Sequence, residues 1–489
     1  MKSRKQTRRQ FLKTLGLGAA AMAMPRAARA AGGKKLNFVF VLADDLGWAD
    51  LGCYGSRFYE TPNLDRLAAG GMRFTDAYAA CCVCSPTRLS ILTGKYPARV
   101  GLTNWLSGRI HKQLLGAPYV GQMPLEEVTI AEALKAAGYA TGFVGKWHLG
   151  GEPYWPEKQG FDVNVAGCQA GSPIGGYFAP WGNPRMADGP KGQYLTDRLT
   201  DEGLKFIESH KDKPFLLYQS YHTVHTPIQG KKELIAKYQA KAAKAPFDRT
   251  VPPKPEAERK VRQTQNHPAY AAMVESMDAN IGRLLAKLDE LGLAEGTVVF
   301  FMSDNGGLST SEGSPTANVP LRAGKGWLYE GGIREPMIVR WPGVTRPGSA
   351  CREPVTSTDF YPTILEMAGL AARPKQHADG VSLAGLLKGG ASLGREAIYW
   401  HYPHYSPQGG RPACAVRAGR YKLLRFFEDE HVELYDLAVD LAEANDLAGK
   451  MPEKAAELKK KLDDWLAAVG AKMPSPNPKW KPAKGKRNA

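Results

Sequence analysis

The segment Cys84-Ser85-Pro86-Thr87-Arg88 combines a cysteine, a proline and an arginine at a spacing that suits chemistry on an anion. Ser85 and Pro86 are typical of the cap and first turn of a helix, which puts Cys84 at a helix N-terminus, where backbone N–H groups attract negative charge. Arg88 projects from the same helical face, so its guanidinium can pair with an oxyanion formed at position 84. A buried structural cysteine is the ordinary interpretation of such a residue, but the whole segment favours a nucleophile.

Acidic and amide side chains follow two apolar runs of the chain. Asp44 and Asp45 follow the run 36–42, and Asp304 and Asn305 follow the run 298–302. Each pair by itself is also typical of a turn, and Asp-Asn-Gly is a strong hairpin-turn signal. Together the three carboxylates and one amide form an all-oxygen set, which suits a hard cation such as Ca²⁺ or Mg²⁺.

Basic and imidazole side chains follow two further apolar runs. Lys146 and His148 come after the run 141–144 and lie two positions apart, so an extended backbone would put both within reach of one ligand. A later run precedes His222 and His225. Chance could place such side chains after one run but hardly after four, so this pattern indicates a functional site.

The cysteine segment, followed by Thr93 and Gly94, resembles the signature of the formylglycine-dependent sulfatases, which reads C-x-P-x-R with a Thr-Gly pair at this spacing. Segments 329–336 and 434–437 look like further landmarks of that family. The resemblance implies a type I, arylsulfatase-like sulfuric ester hydrolase of the alkaline-phosphatase-like superfamily. It also implies that Cys84 is oxidised to formylglycine. One hydroxyl of the hydrated aldehyde then attacks sulfur, and the other loses its proton when sulfate is expelled.

The resemblance also implies the residues of the site. It assigns one divalent cation, Ca²⁺ in the first place and Mg²⁺ as the alternative, to Asp44, Asp45, Asp304, Asn305 and a hydroxyl of the modified Cys84. It assigns the other catalytic positions as Arg88 beside the nucleophile, Lys146 on the sulfate, His148 on a formylglycine hydroxyl, and His225 and Lys325 beside the leaving oxygen. His222 has no counterpart in the family pattern, and a structural role suits it equally well.

The elements that must position these residues alternate along the chain. Apolar, β-branched or aromatic runs predict strands at 36–42, 141–144, 215–219, 298–302 and 337–340. Amphipathic segments with start and stop signals predict helices at 61–69, 126–137 and 270–291. This alternation predicts an α/β fold with a mostly parallel central sheet that helices cover on both faces. Ligands bind such sheets beyond the carboxyl ends of the strands, where the polar residues above lie.

The chain divides into four predicted segments: a twin-arginine-type signal peptide at 1–30, a catalytic sulfatase domain at 31–375, a smaller C-terminal α+β subdomain at 376–471, and a basic flexible tail at 472–489. The subdomain is indicated by short strands at 397–400, 415–418 and 421–425 and by a helix at 452–468. The charged, proline-bearing stretch 230–267 is predicted to be a surface insertion.

Residues 1–30 have the basic, apolar and small-residue parts of an export signal, and Arg8-Arg9 followed by Phe11-Leu12-Lys13 resembles the twin-arginine type. We therefore expect the twin-arginine export machinery and a formylglycine-generating enzyme as partners, and a periplasmic or secreted protein. The apolar part is too short for stable membrane insertion. Eight of the basic residues behind the net charge of +17 lie in 1–30 and six in 472–489. No recognition motif accompanies them, so we expect no nucleic-acid partner.

The expected substrate is a sulfated glycan or oligosaccharide. An exported enzyme meets polysaccharide fragments, and Lys146, His225 and Lys325 around one sulfate leave room for a pocket rather than a groove, which favours exo action. Aromatic side chains that could stack on sugar rings are Trp105, Tyr119, Tyr177, Phe178 and Trp181. A phosphoesterase of the same superfamily and a catalytically inactive protein that binds sulfated glycans stay open as alternatives.

Overall fold

The computed structural model describes residues 35–481 of the chain. The predicted signal peptide, 1–30, lies outside these residues, and so does the end of the predicted basic tail, 482–489. No helix between residues 35 and 481 is both long enough and apolar enough to cross a membrane. All seven cysteines lie in the described range, and none of them forms a disulfide.

Strands and helices alternate along most of the described chain. In chain order the strands are β1 (Asn37–Ala43), β2 (Met72–Tyr78), β3 (Leu114–Leu115), β4 (Ala140–Gly145), β5 (Val163–Val165), β6 (Phe215–Ser220), β7 (Lys254–Glu256), β8 (Arg259–Val261), β9 (Thr297–Ser303), β10 (Arg334–Arg340), β11 (Ser349–Cys351), β12 (Val355–Thr356), β13 (Ile398–Tyr402), β14 (Ala413–Ala418), β15 (Tyr421–Phe426), β16 (Val432–Asp436) and β17 (Ser475–Pro476). The α-helices are α1 (Pro62–Ala69), α2 (Cys84–Thr93), α3 (Pro97–Val100), α4 (Ile130–Ala136), α5 (Leu195–Ser209), α6 (Lys232–Ala242), α7 (Pro268–Glu290), α8 (Glu330–Ile333), α9 (Phe360–Met367), α10 (Ala384–Leu387) and α11 (Pro452–Ala468).

Nine of the strands within residues 35–481 form one central sheet in the order β11-β2-β10-β9-β1-β6-β4-β5, with β12 also beside β2. Strands β1, β4, β5, β6 and β9 pair in parallel, whereas β10 is antiparallel to both β9 and β2. The predicted mostly parallel sheet is therefore confirmed. Strand β2 was not predicted, because Arg73, Thr75 and Asp76 interrupt its apolar pattern.

Both faces of the sheet are buried, which explains why its central strand is a continuous apolar run. Phe38, Phe40 and Leu42 of β1 pack into one core with helices α2, α4 and α9. Val39 and Val41 point to the opposite face and pack with helices α1, α5 and α7. This alternation confirms the predicted cover of helices on both faces.

Helix α4 begins four residues later than the prediction. Thr129 caps it, because its Oγ1 accepts from the Glu132 backbone N–H at 3.1 Å while a Glu132 carboxylate oxygen accepts from the Thr129 N–H at 2.7 Å. This reciprocal pair is a capping box, and it fixes Ile130 as the first helical residue. The Thr-x-x-Glu spacing in the sequence is the signal that marks this start.

The C-terminal part contains a smaller sheet with a helix, as predicted, and the pairing of its strands is antiparallel. Strands β13, β14, β15 and β16 pair in chain order, and helix α11 covers one face through Leu458 and Leu462, which share a core with Leu423 of β15. The start of the predicted flexible tail differs from the prediction. Strand β17 pairs with β3, and the Asn477 backbone N–H donates to the Gln113 carbonyl at 3.0 Å.

The stretch 230–267 is more regular than a surface insertion. It contains helix α6 and the hairpin of β7 and β8. Tyr238 of α6 is fully buried and joins the core that includes α7. The charged residues of α6 interrupt its apolar pattern, so hydrophobic periodicity did not reveal that Tyr238 is buried.

Candidate active site

The predicted functional residues meet beyond the carboxyl ends of β1, β4, β6 and β9. The strand register aligns these ends, because Ala43 pairs with Ser303 and Leu42 pairs with Ser220, which also pairs with Gly145. The polar residues that follow each strand therefore converge at one edge of the sheet. The candidate site residues lie together there, joined by the contacts described below.

Cys84 is the first residue of helix α2 and is 3% exposed. Its Sγ lies 3.2 Å from Nδ1 of His148, and the Ser85 hydroxyl donates to the His148 carbonyl at 2.8 Å. His148 has a φ of 55°, a left-handed conformation that is strained for a residue other than glycine and that clusters at functional sites. Burial raises the pKa of the Cys84 thiol, so the unmodified cysteine is a weak nucleophile.

Arg88 is buried and directs its guanidinium at the sheet edge rather than at open solvent. Its Nε and Nη2 lie 2.8 and 2.7 Å from Oδ2 of Asp304, and its Nη1 donates to the Lys146 carbonyl at 2.8 Å and to the Ser220 hydroxyl at 2.7 Å. These contacts engage the planar fork of the guanidinium. Arg88 therefore fixes Asp304, a role that the sequence did not predict.

Two lysines neutralise the aspartates that follow β1. The Lys146 ammonium donates to Oδ2 of Asp44 at 2.7 Å, and the Lys325 ammonium donates to Oδ2 of Asp45 at 2.8 Å. Burial by itself raises the pKa of Asp45, but the charge of Lys325 and other nearby basic groups lower it to about 2. Asp45 is therefore a carboxylate at neutral pH.

The oxygen atoms at this edge fit a hard divalent cation. Oδ1 of Asp44 and Oδ1 of Asn305 are buried without a hydrogen-bond partner. The Asn305 amide donates to Oδ1 of Asp45 at 2.8 Å, which leaves its oxygen directed elsewhere. Burial and the charge of Asp44 raise the pKa of Asp304 to about 6. Unpartnered buried oxygens and mutually repelling carboxylates are what Ca²⁺ or Mg²⁺ would satisfy.

His225 lies closer to these carboxylates than the sequence indicated. Its Nε2 is 3.7 Å from Oδ2 of Asp45, and its Nδ1 is 2.8 Å from the Thr226 carbonyl. Asp44, Asp45 and His225 each offer one ligand atom within 4.8 Å of the others. Burial and the charge of Lys325 lower the pKa of His225 to about 4, so the imidazole is neutral at pH 7.

A cavity of about 290 Å³ opens onto Cys84. We call it the catalytic cavity. Four of the predicted residues line it, namely Cys84, His148, His225 and Lys325. Sequence reasoning missed Glu312, whose carboxylate also lines this cavity and accepts from the Gln408 amide at 2.5 Å and from the Thr226 hydroxyl at 3.2 Å. No motif surrounds Glu312, and its only sequence signal is a position between the two predicted segments at 304 and 325.

Of the five aromatic residues proposed as sugar platforms, Phe178 is half-buried and packs against the Tyr194 ring, and the other four divide into two groups. Trp105 lines the catalytic cavity, and Tyr119 lines an adjoining one. Tyr177 and Trp181 are buried in the core, which contradicts a platform role. The Tyr177 hydroxyl instead donates to the carbonyls of His222 and His225 at 2.6 and 2.9 Å, which holds the loop after β6.

Comparison with known proteins is consistent with this geometry. The family model described as Sulfatase matches residues 36–370, and the model described as N-sulphoglucosamine sulphohydrolase, C-terminal, matches residues 323–472. The chain is 33% identical over 519 residues to a sulfatase of Formosa agariphila, an alignment that covers 88% of this chain and 89% of that one. It is 34% identical over 420 residues to human arylsulfatase A, across 79% and 74% of the two chains.

A solved structure shows the same architecture with an oligosaccharide. The crystal structure of Ps i-CgsB in complex with k-i-k-neocarrahexaose superposes on this chain with a TM-score of 0.73 at 28% sequence identity. The match covers 92% of this chain and 96% of that one.

Proposed function

The chain belongs to the sulfatase family of the alkaline-phosphatase-like superfamily, and from this premise we propose that it removes sulfate from a sulfated carbohydrate through a formylglycine at position 84 and one divalent cation. It is a sulfuric ester hydrolase. The observation that carries the proposal is the position of Cys84, at a helix N-terminus within the catalytic cavity and 3.2 Å from His148.

Formylglycine, when hydrated, supplies two hydroxyls on one carbon, one to attack sulfur and one to lose its proton as sulfate leaves. His148 is placed to hold one of them, because its Nδ1 lies within hydrogen-bond distance of the side chain at position 84. The N-terminal backbone of α2 favours the negative charge of a bound sulfate group. His225 and Lys325 line the same cavity, from which one of them can protonate the departing alcohol.

A divalent cation would supply charge that polarises the attacking hydroxyl and offsets the sulfate oxygens. The residues that would hold it are Asp44, Asp45, Asp304 and Asn305, with the side chain at position 84. We propose Ca²⁺ in the first place, because the set contains three carboxylates and one amide oxygen, and Mg²⁺ as the alternative.

The carbohydrate substrate is supported by the catalytic cavity and by the neighbour that binds k-i-k-neocarrahexaose. At about 290 Å³ the catalytic cavity is at the small end of ligand sites, which suits one sulfated sugar at a chain end.

We further propose export by the twin-arginine machinery to the periplasm or beyond, after a formylglycine-generating enzyme has modified Cys84. This part of the proposal rests on residues 1–30.

The decisive experiment measures the mass of the peptide that contains Cys84 together with sulfate release. We expect an aldehyde in place of the Cys84 thiol, while Cys81 and Cys82 in the same peptide stay unmodified. Sulfated oligosaccharides, an aryl sulfate and a phosphate ester should be offered side by side. Full activity with an alkylatable Cys84 thiol would exclude the proposed mechanism. An unmodified thiol with glycan binding but without turnover would favour the inactive binding protein, and faster phosphate release would favour the phosphoesterase.

A further inference from the structure

The catalytic cavity adjoins a larger one. We call the second the outer cavity; its volume is about 840 Å³, and the segment 104–121 supplies most of its wall. Leu106, His148 and Gly171 line both cavities. A ligand whose sulfate ester lies beside Cys84 therefore has the outer cavity next to it. That volume is within the range of about 300–1,000 Å³ that small-molecule sites occupy.

The two cavities differ in their acidic side chains. The catalytic cavity contains the carboxylate of Glu312, whereas none of the described residues that line the outer cavity is acidic. Arg109 lines the outer cavity, is exposed, and forms no ion pair with any residue between 35 and 481. Its neighbour Lys112, by contrast, pairs with Glu258 at 2.9 Å and lies outside the outer cavity. Arg109 is therefore a cation that the protein itself does not neutralise.

The wall that carries Arg109 is held by hydrogen bonds. The Tyr119 hydroxyl donates to the carbonyls of Gly108 at 3.0 Å and Trp105 at 3.2 Å, which fixes the backbone next to Arg109. His404, which also lines the outer cavity, packs edge-on against Tyr119 and is hydrogen-bonded to the Thr103 hydroxyl at 2.8 Å. Burial lowers the pKa of His404 to about 3, so it adds no charge at neutral pH.

Glycine lets this loop approach the His404 ring. A Cβ at Gly116 would lie 2.8 Å from Nδ1 of His404, so a side chain at this position would displace the His404 ring. The outer cavity is thus built in advance, with one unpaired cation on its rim. Arginine at such a position recognises carboxylate or sulfate oxygens through two parallel hydrogen bonds.

We propose that the outer cavity binds the neighbour of the sugar that carries the hydrolysed sulfate ester. Arg109 pairs with an anionic group on this neighbouring sugar, which is a sulfate or a carboxylate. This inference rests on the proposed function of the catalytic cavity. It narrows the substrate class to sulfated oligosaccharides with an anion on two neighbouring sugars. It also assigns Arg109 as a specificity-determining residue.

The test compares three disaccharides that carry the same sulfate ester and whose second sugar is sulfated, carboxylated or uncharged. We expect Arg109→Ala to lower kcat/KM about tenfold for the better of the two anionic disaccharides, mainly through KM. The reason is that a charge-assisted hydrogen bond to an exposed arginine is lost. Turnover of the uncharged disaccharide should not change. Arg109→Lys should restore part of the loss and Arg109→Glu should deepen it. Comparing kcat/KM for the sulfated and the carboxylated disaccharide identifies which anion Arg109 binds.

Lys112→Ala is the matched control, because it removes a nearby cation that does not line the outer cavity. An equal fall of kcat/KM for all three disaccharides in Arg109→Ala would overturn the inference, and so would no change for any of them.

A binding measurement separates this inference from the proposed function. Cys84→Ser and Cys84→Ser/Arg109→Ala are titrated with the same disaccharides. If the wild type releases no sulfate, the proposed function fails, whereas a weaker affinity of the double variant for the anionic disaccharides alone still supports the inference.

Discussion

Replacing Arg88 with alanine tests how much of the site's stability depends on one buried ion pair. Arg88 is 2% exposed, and both Nε and Nη2 contact a single carboxylate oxygen of Asp304 at 2.8 and 2.7 Å. Asp304 is fully buried, and Asp44 lies close enough to raise its pKa. Removing the guanidinium leaves this carboxyl without its cationic partner in a site that water does not reach.

The expected loss in the free energy of unfolding is about 3–5 kcal/mol, because breaking a buried ion pair from one side leaves an uncompensated charge. The carbonyl of Lys146 and the hydroxyl of Ser220 also lose a donor, which places the expected loss toward the upper end. Arg88→Lys should lose less, because it keeps the positive charge and loses only the fork geometry.

The assay is urea denaturation followed by circular dichroism, in the presence of a chelator so that metal does not contribute. Arg283→Ala is the matched control, because Arg283 pairs with Asp201 at the surface, where such a pair contributes less than about 1 kcal/mol. A free energy of unfolding for Arg88→Ala within about 1 kcal/mol of the wild type would refute the reasoning. It would mean that Asp304 has another cationic partner, or that it becomes protonated with little loss in the free energy of unfolding.

Three further predictions concern the metal, the substrate and the packing of the two sheets. Asp304→Ala should lower bound Ca²⁺ and turnover together, measured by elemental analysis and sulfate release; stoichiometric metal with normal activity would show that the cation lies elsewhere. Glu312→Gln should raise kcat/KM for substrates with a second anion on the same sugar as the sulfate ester, because a carboxylate in the catalytic cavity repels it; an unchanged ratio to the monosulfated sugar would contradict this. Lys422→Ala should lower the free energy of unfolding by about 3–5 kcal/mol, seen in urea denaturation, because its ammonium lies fully buried and 2.9 Å from each of two glutamates. A loss as small as that of a surface lysine variant would argue against it.

The sequence could predict the residues that follow the strands, because parallel strands bring their carboxyl ends to one edge wherever their neighbours lie in the chain. It could not predict that Arg88 fixes Asp304. These residues are 216 positions apart, and helix geometry alone directs Arg88 only to the face that it shares with Cys84. The sequence pattern also could not show that Tyr177 and Trp181 are buried. An aromatic residue in a glycine-rich segment has the same local sequence whether it is buried or exposed.

The charges at the sheet edge explain why a cation and a sulfate would bind to this site together. Asp44 and Asp45 are at present neutralised by the ammonium groups of Lys146 and Lys325. A divalent cation held by the same carboxylates would take over that neutralisation, and Lys146 and Lys325 would then be buried cations without a carboxylate partner. Buried charges without partners are unfavourable, so this arrangement favours an anion at the position between them. The negative charge of a sulfate ester would supply that partner, and Lys325, which lines the catalytic cavity, would also stabilise the charge that develops as the ester oxygen departs.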